Sequence, residues 1–135
     1  MTNYDLSKLD ILVVDDSSTM RAVLNMILTK LGATKVRLCN DGSEAFKEFC
    51  KAPSDIVITD WVMQTMSGIE LAGLLRDPKK SPHPCVPIIM ITSNAARDEV
   101  MEARNAGIDT YLAKPVTPES VYNCISQIIH KNVAA

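Results

Sequence analysis

Residues 10–20 read DILVVDDSSTM. Four apolar residues, Ile11 to Val14, run directly into Asp15 and Asp16, and a Ser/Thr cluster then opens a helical pattern. A continuous apolar run of this length, closed by polar residues, fits a strand buried on both faces. Adjacent carboxylates at the tip of such a strand call for an explanation. One carboxylate could cap the following helix, because Asp and Ser both serve helix N-termini. A single cap would account for only one of them, however, and Ser17 or Ser18 could fill that place.

Working outward, strand and helix patterns alternate along the chain. After ILVV, the apolar residues Met20, Val23, Leu24, Ile27, Leu28 and Leu31 fall at helical spacing, with Gly32 where a helix stop belongs. KVRLC alternates with period two. A short helix is expected over Ser43–Cys50, a strand at DIVIT, a helix over Ser67–Arg76 and a strand at PIIMIT. A helix over Arg97–Ala106 stopped by Gly107, a short strand DTYLA and a last helix over Pro118–His130 complete the pattern. Repeated β-α units predict a parallel sheet covered on both faces. ILVV, IVIT and IIMIT are apolar throughout, as central strands are, whereas KVRLC and DTYLA are mixed, as edge strands can be. With right-handed crossovers this predicts a flavodoxin-like, doubly wound five-stranded parallel sheet in order 2-1-3-4-5, with five helices. A Rossmann-type order would want a Gly-x-Gly-x-x-Gly turn where the chain has DDSSTM.

Composition narrows the function classes. The chain has 135 residues, enough for one domain with a proper core, and a formal net charge of -2. Nothing points to a nucleic-acid partner: Lys79-Lys80 is the only adjacent basic pair, and it lies in a Pro-rich loop. Cys39, Cys50, Cys85 and Cys124 are far apart and form no C-x-x-C, so reduced thiols and a cytoplasmic location are expected. His83 and His130 are isolated and make poor ligand candidates. The polar first ten residues do not resemble a signal peptide, and no apolar run approaches the ~18 residues of a membrane span.

In the predicted sheet, sites form beyond the carboxyl ends of the strands, where the strand order reverses. Strand one ends in Asp15-Asp16, strand three in Asp60 and strand four in Thr92-Ser93, and Lys114-Pro115 follows strand five. Carboxylates crowded in a partly dry site repel one another, and a hard divalent cation relieves that repulsion. Oxygen-only ligands with incomplete protein coordination suit Mg²⁺ and a phosphate partner. Asp60 can serve as both ligand and nucleophile, because a carboxylate can accept a phosphoryl group as an acyl phosphate. Lys114 would add positive charge beside it, and Thr92 could donate its hydroxyl. Read singly, Thr92 is a helix cap, Lys114 surface and Tyr111 edge-strand packing. Trp61, the only tryptophan, adjoins Asp60 and is a natural reporter.

VVDDSSTMR, TDWVMQTMSG, IIMITSNA and YLAKP, in that order and each at a strand end, resemble the marker segments of response regulator receiver domains. The resemblance covers about residues 9–131 and is strongest to the chemotaxis members that consist of a receiver alone, which implies a single domain over 1–135. It implies that Asp60 is the phosphoacceptor and that Asp15, Asp16 and the backbone carbonyl of Val62 hold Mg²⁺. It further implies that Thr92 and Lys114 contact the phosphoryl group. Tyr111 would be the switch aromatic that turns inward, and Pro115 would follow a cis bond. The implied partners are a histidine kinase and possible readers such as the flagellar motor switch or a phosphatase, met by a monomer. Ala95, Arg97, Tyr111 and Ala113 would lie near the partner face. Such a module signals and is not an enzyme beyond limited self-phosphorylation and self-dephosphorylation. A phosphorelay shuttle or phosphate sink would use the same chemistry.

The chain departs from the family pattern in places. Gln64 stands where proline is usual, which frees an N–H and a φ angle and would loosen the loop. Val62 and Asn94 stand where chemotaxis members often carry Asn and Glu, side chains that help place the hydrolytic water. The rival reading is an enzyme, a phosphatase of the haloacid dehalogenase type. It needs a second Asp two residues after the nucleophile, where this chain has Val62. A nucleotide- or flavin-binding module would lack a Gly-rich phosphate loop.

Overall fold

The computed structural model describes residues 6–93 and 106–134. A 3₁₀ turn at Leu6–Lys8 leads into β1 (Asp10–Val14), α1 (Ser18–Lys30), β2 (Lys35–Cys39), α2 (Gly42–Lys51) and β3 (Ile56–Asp60). Then follow α3 (Gly68–Arg76), β4 (Ile88–Thr92), β5 (Thr110–Ala113) and α4 (Pro118–Ala134). All strand pairs are parallel, and the order is β2-β1-β3-β4-β5, as the strand compositions predict. The helix expected over Arg97–Ala106 falls outside the described residues except for Ala106, which lies in a turn with Gly107. Among the described residues no helix is long and apolar enough to cross a membrane.

The strands sort their side chains with period two, and each half lands in a different core. Ile11, Val13, Ile58, Ile89 and Ile91 pack with Leu24 and Leu28 of α1 and Val121 and Ile125 of α4. Leu12, Val14, Val57, Ile88 and Met90 pack with Phe49 of α2 and Leu71 and Leu75 of α3. Both faces of β1, β3 and β4 are therefore dry, which is why these strands are mostly apolar, with polar residues only at Asp10, Thr59, Asp60 and Thr92. The edge strands β2 and β5 keep partly exposed residues. Gly32 and Gly107 have φ of 106° and 90°, a conformation in which a Cβ is strained, and Gly32 stands just after α1 as a helix stop requires.

Of the strand boundaries that differ from expectation, two share one physical reason. DIVIT and DTYLA begin with an aspartate, yet β3 starts at Ile56 and β5 at Thr110. Asp55 turns its carboxylate onto the amide of Asp10 at 2.8 Å, and Asp109 turns its own onto the amide of Ile88 at 2.8 Å. Each caps the leading N–H of a neighbouring strand, a use for which a short carboxylate is suited. β3 in turn runs one residue further than expected and includes Asp60. The last helix likewise continues past His130 to Ala134.

Candidate functional site

The carboxyl ends of β1, β3, β4 and β5 meet at one rim. Asp15 follows β1 and is fully buried, Asp60 is the last residue of β3 and Thr92 the last of β4, both also buried, and Lys114 follows β5. The register places Asp60 opposite Ile91 and Thr92 opposite Ala113. The main chain knits the rim together: Lys114 N–H donates to the carbonyl of Thr92 at 2.9 Å, and Trp61 N–H to that of Ile91 at 3.0 Å. The Lys114–Pro115 bond is cis, as the resemblance implies.

The helix cap after β1 is Ser17, whose hydroxyl accepts from the amide of Met20 at 3.2 Å. Neither aspartate is needed for that purpose. Asp15 Oδ1 accepts from Ser17 N–H at 2.8 Å, and its carbonyl accepts from Arg21 Nη1 at 2.7 Å. Its Oδ2 is buried with no hydrogen-bond partner. Asp16 is exposed, and its Oδ2 accepts from the main-chain amide of Gln64 at 3.2 Å. Asp60 Oδ1 accepts from Trp61 N–H at 2.9 Å, and Oδ2 lies 3.4 Å from Lys114 Nζ.

Carboxylate oxygens of Asp15, Asp16 and Asp60 all lie within 4.8 Å of one another. Burial above all raises the Asp15 pKa, and the charges of Asp60 and Asp16 push the same way, against the Ser17 N–H and Lys114. A bare carboxylate oxygen, buried beside further carboxylates, is a poor arrangement for the protein alone and a good one for a hard cation. The donor set therefore fits Mg²⁺.

This gives a first expected outcome. Because the folded-state pKa of Asp15 is raised, the folded protein holds its proton to higher pH than the unfolded chain. The group therefore costs metal-free stability above that range and releases the cost as pH falls through it. Asp15→Asn should stabilise the protein in chelator at neutral pH, by on the order of 1 kcal/mol or more, the repulsion between charges about 4 Å apart when screened as in bulk water. The advantage should shrink as the solution is acidified and reverse in excess Mg²⁺. Thermal melts with chelator and with Mg²⁺ check it; a less stable variant in chelator at neutral pH would refute the account.

The remaining expected residues divide. Val62 is 78% exposed in the loop after β3, and Tyr111 is half-buried against the core beneath α2 and α3. Ala113 is exposed on β5. Asn94, Ala95 and Arg97 lie outside the described residues. Sequence reading missed Gly68. A Cβ there would sit 2.4 Å from the carbonyl oxygen of Asp60 and 2.7 Å from Met90 Sδ, so only glycine lets the first turn of α3 pass over the tip of β3. Ser67 and Glu70 form a capping box that starts α3 there. The N–H freed by Gln64 in place of proline is not idle, since it is the donor to Asp16.

Comparison with known proteins agrees with this geometry. The family model for the response regulator receiver domain matches residues 11–126. The chain is 36% identical over 121 residues to the chemotaxis protein CheY of Pseudomonas aeruginosa, covering 90% of this chain and 96% of that protein. It is 38% identical over 120 residues to a CheY homologue of Campylobacter jejuni, covering 88% and 91%. Among solved structures, the chemotaxis response regulator CheY4 of Vibrio cholerae superposes with TM-score 0.81 at 28% identity, over 89% of this chain and 98% of that one. The receiver domain of an Arabidopsis thaliana histidine kinase, in complex with Mg²⁺, superposes with TM-score 0.83 at 28% identity, over 93% and 95%. With a family model matched over most of its length and relatives of this identity, the chain belongs to the response regulator receiver family.

Proposed function

We propose that Asp60 accepts a phosphoryl group from the phosphohistidine of a histidine kinase, in a Mg²⁺-dependent reaction, and that the chain signals by protein contact in chemotaxis. The observation that carries this reading is the setting of Asp60: its carboxylate lies between an ammonium group at 3.4 Å and two further carboxylates, one with a bare buried oxygen. The chemotaxis part rests on the relatives, which are chemotaxis proteins of similar length.

Asp15, Asp16, Asp60 and the Val62 carbonyl would hold Mg²⁺, which when bound offsets charge on the transferring oxygens. A carboxylate oxygen of Asp60 attacks phosphorus, the P–N bond of the donor breaks, and the imidazole nitrogen leaves with the electron pair. Trp61 N–H holds Asp60 Oδ1 in place. Lys114 moves its charge from the carboxylate to the phosphoryl oxygens. Thr92 donates its hydroxyl to one of them, and Tyr111 turns inward. The added charge, about two negative units, then biases the face that carries Ala95, Arg97, Tyr111 and Ala113 toward a partner such as the flagellar motor switch. A water attacking phosphorus releases phosphate and restores the carboxylate. The protein acts as a cytoplasmic monomer in this reading.

The test is uptake of one phosphoryl group from acetyl phosphate, read by intact mass, with Mg²⁺ and with chelator. Uptake only with Mg²⁺ is expected; none in Mg²⁺ would sink the reading. A second expected outcome concerns Val62, whose exposed side chain offers the hydrolytic water no hydrogen bond. Val62→Asn should speed dephosphorylation roughly tenfold, the kinetic equivalent of one hydrogen bond. Phosphoprotein decay followed by mass would show this, and an unchanged rate would remove Val62 from the account.

A further inference from the structure

The loop between β3 and α3 carries Val62 and Gln64, and at Gln64 it is tied back to the end of β1. Gln64 N–H donates to Asp16 Oδ2 at 3.2 Å, across 48 positions of sequence. Asp16 is exposed, so this donor decides where an otherwise free carboxylate points. The remaining Asp16 oxygen keeps its lone pairs, since a carboxylate has room for several partners. At its start the loop is held by Trp61 N–H on Asp60 Oδ1 and on the Ile91 carbonyl, and at its end by Gly68 N–H on the Trp61 carbonyl at 2.8 Å. The Gln64 bond adds a tether between these points, ending on one member of the acidic cluster.

We propose that the main-chain amide of Gln64 is a positioning group for the cation site. It holds Asp16 and the Val62 carbonyl in one unit before the metal arrives and keeps its bond afterwards. This rests on the cation reading of the cluster. The physical basis is that carboxylates serving a metal are themselves hydrogen-bonded, and that losing such a donor lowers affinity although it never touches the ion. The Gln64 side chain takes no part: any residue with an N–H would serve, and proline, which has none, would not.

The experiment is a Mg²⁺ titration followed by Trp61 fluorescence for wild type, Gln64→Ala and Gln64→Pro, with a thermal melt of each. Gln64→Ala should bind within about twofold of wild type and Gln64→Pro about tenfold more weakly, the lower end of what loss of such a donor costs. Equal or tighter binding by a folded Gln64→Pro would overturn the proposal. Proline also restricts Met63 before it, so the donor is tested a second way, by amide exchange at Gln64. In chelator, Asp16→Ala should accelerate that exchange severalfold; in wild type, saturating Mg²⁺ should leave it slow. Exchange indifferent to Asp16→Ala, or accelerated by Mg²⁺, would overturn the proposal, the latter by showing that the metal displaces the amide. If wild type shows no saturable Mg²⁺ response, the cation reading falls and this inference with it. If wild type responds and the variants do not differ, only the role of Gln64 falls.

Discussion

Asp60→Asn is expected to take up no phosphoryl group from acetyl phosphate in Mg²⁺, under conditions where the wild-type chain takes up one. The reason is chemical before it is structural. An acyl phosphate forms when a carboxylate oxygen, carrying a full share of negative charge, attacks phosphorus. A carboxamide oxygen is neutral and weakly nucleophilic. The substitution preserves shape: an Asn oxygen can still accept from Trp61 N–H, the 2.9 Å bond that orients the side chain. It loses the ion pair to Lys114 at 3.4 Å and relieves the crowding with Asp15 and Asp16. These effects on stability oppose each other, so the melting temperature should change little while acceptance disappears. Trp61 fluorescence separates the steps, because a weakened Mg²⁺ response should persist and the response to beryllofluoride should vanish. Phosphoryl uptake by the variant would place the acceptor on another residue and remove the central claim.

Arg76→Ala should be strongly destabilising although Arg76 is a partly exposed polar residue away from the rim. The Arg76 guanidinium donates to the Gly107 carbonyl at 2.8 and 3.0 Å, to the Pro84 carbonyl at 2.8 Å, to the Val86 carbonyl and to the Asp109 carboxylate at 2.8 Å. It thereby joins the end of α3 to the segments that enter β4 and β5. Truncation leaves those carbonyls without this donor and Asp109 without its cation. Bonds to charged donors contribute about 1.5–3 kcal/mol each, and the pair is about a quarter exposed, so water recovers part of the loss. A net cost of roughly 3 kcal/mol is expected, about 10 °C in melting temperature for a chain of this size. Arg76→Lys should recover less than half, because an ammonium lacks the planar fork. A loss below about 1 kcal/mol would show that solvent replaces the clamp. Below the melt, Mg²⁺ binding should be unaffected, since the clamp lies at the opposite end of the sheet from Asp60.

The sheet order could be read from the sequence because burial leaves a compositional trace. β1, β3 and β4 are buried and, Thr59 apart, apolar at their inner positions, and β2 and β5 are not. The convergence of residues at the rim was equally legible: Asp15, Asp16, Asp60, Thr92 and Lys114 each stand at the end of a readable strand, and the parallel arrangement brings them together. What escaped was set by contacts between distant segments. Arg76 reads as the basic end of a helix, and nothing local says that its partners lie 8 and 31 positions away. Gly68 reads as one more residue of the helix expected over Ser67–Arg76, although a neighbouring carbonyl excludes a side chain there. The Gln64 donor is a main-chain group, so residue type says only that it exists and not where it points. Asp55 and Asp109 were assigned to strands because pattern reading cannot distinguish a first strand residue from a cap on the strand beside it.

The clamp at Arg76 and the aspartate caps at Asp55 and Asp109 gather at one end of the sheet, and the acidic rim proposed to react at the other. Such polarity lets the two ends be altered independently. A fluorophore or affinity handle attached near His83, in the exposed stretch leading to β4, would sit far from Asp60 and leave its chemistry undisturbed. Grafts into the segment between β3 and α3 would alter reactivity while the anchored end still held the strands in order. A designer who wants a sensor with new timing should therefore rebuild residues 61–67 and leave Arg76 and its hydrogen-bond partners alone.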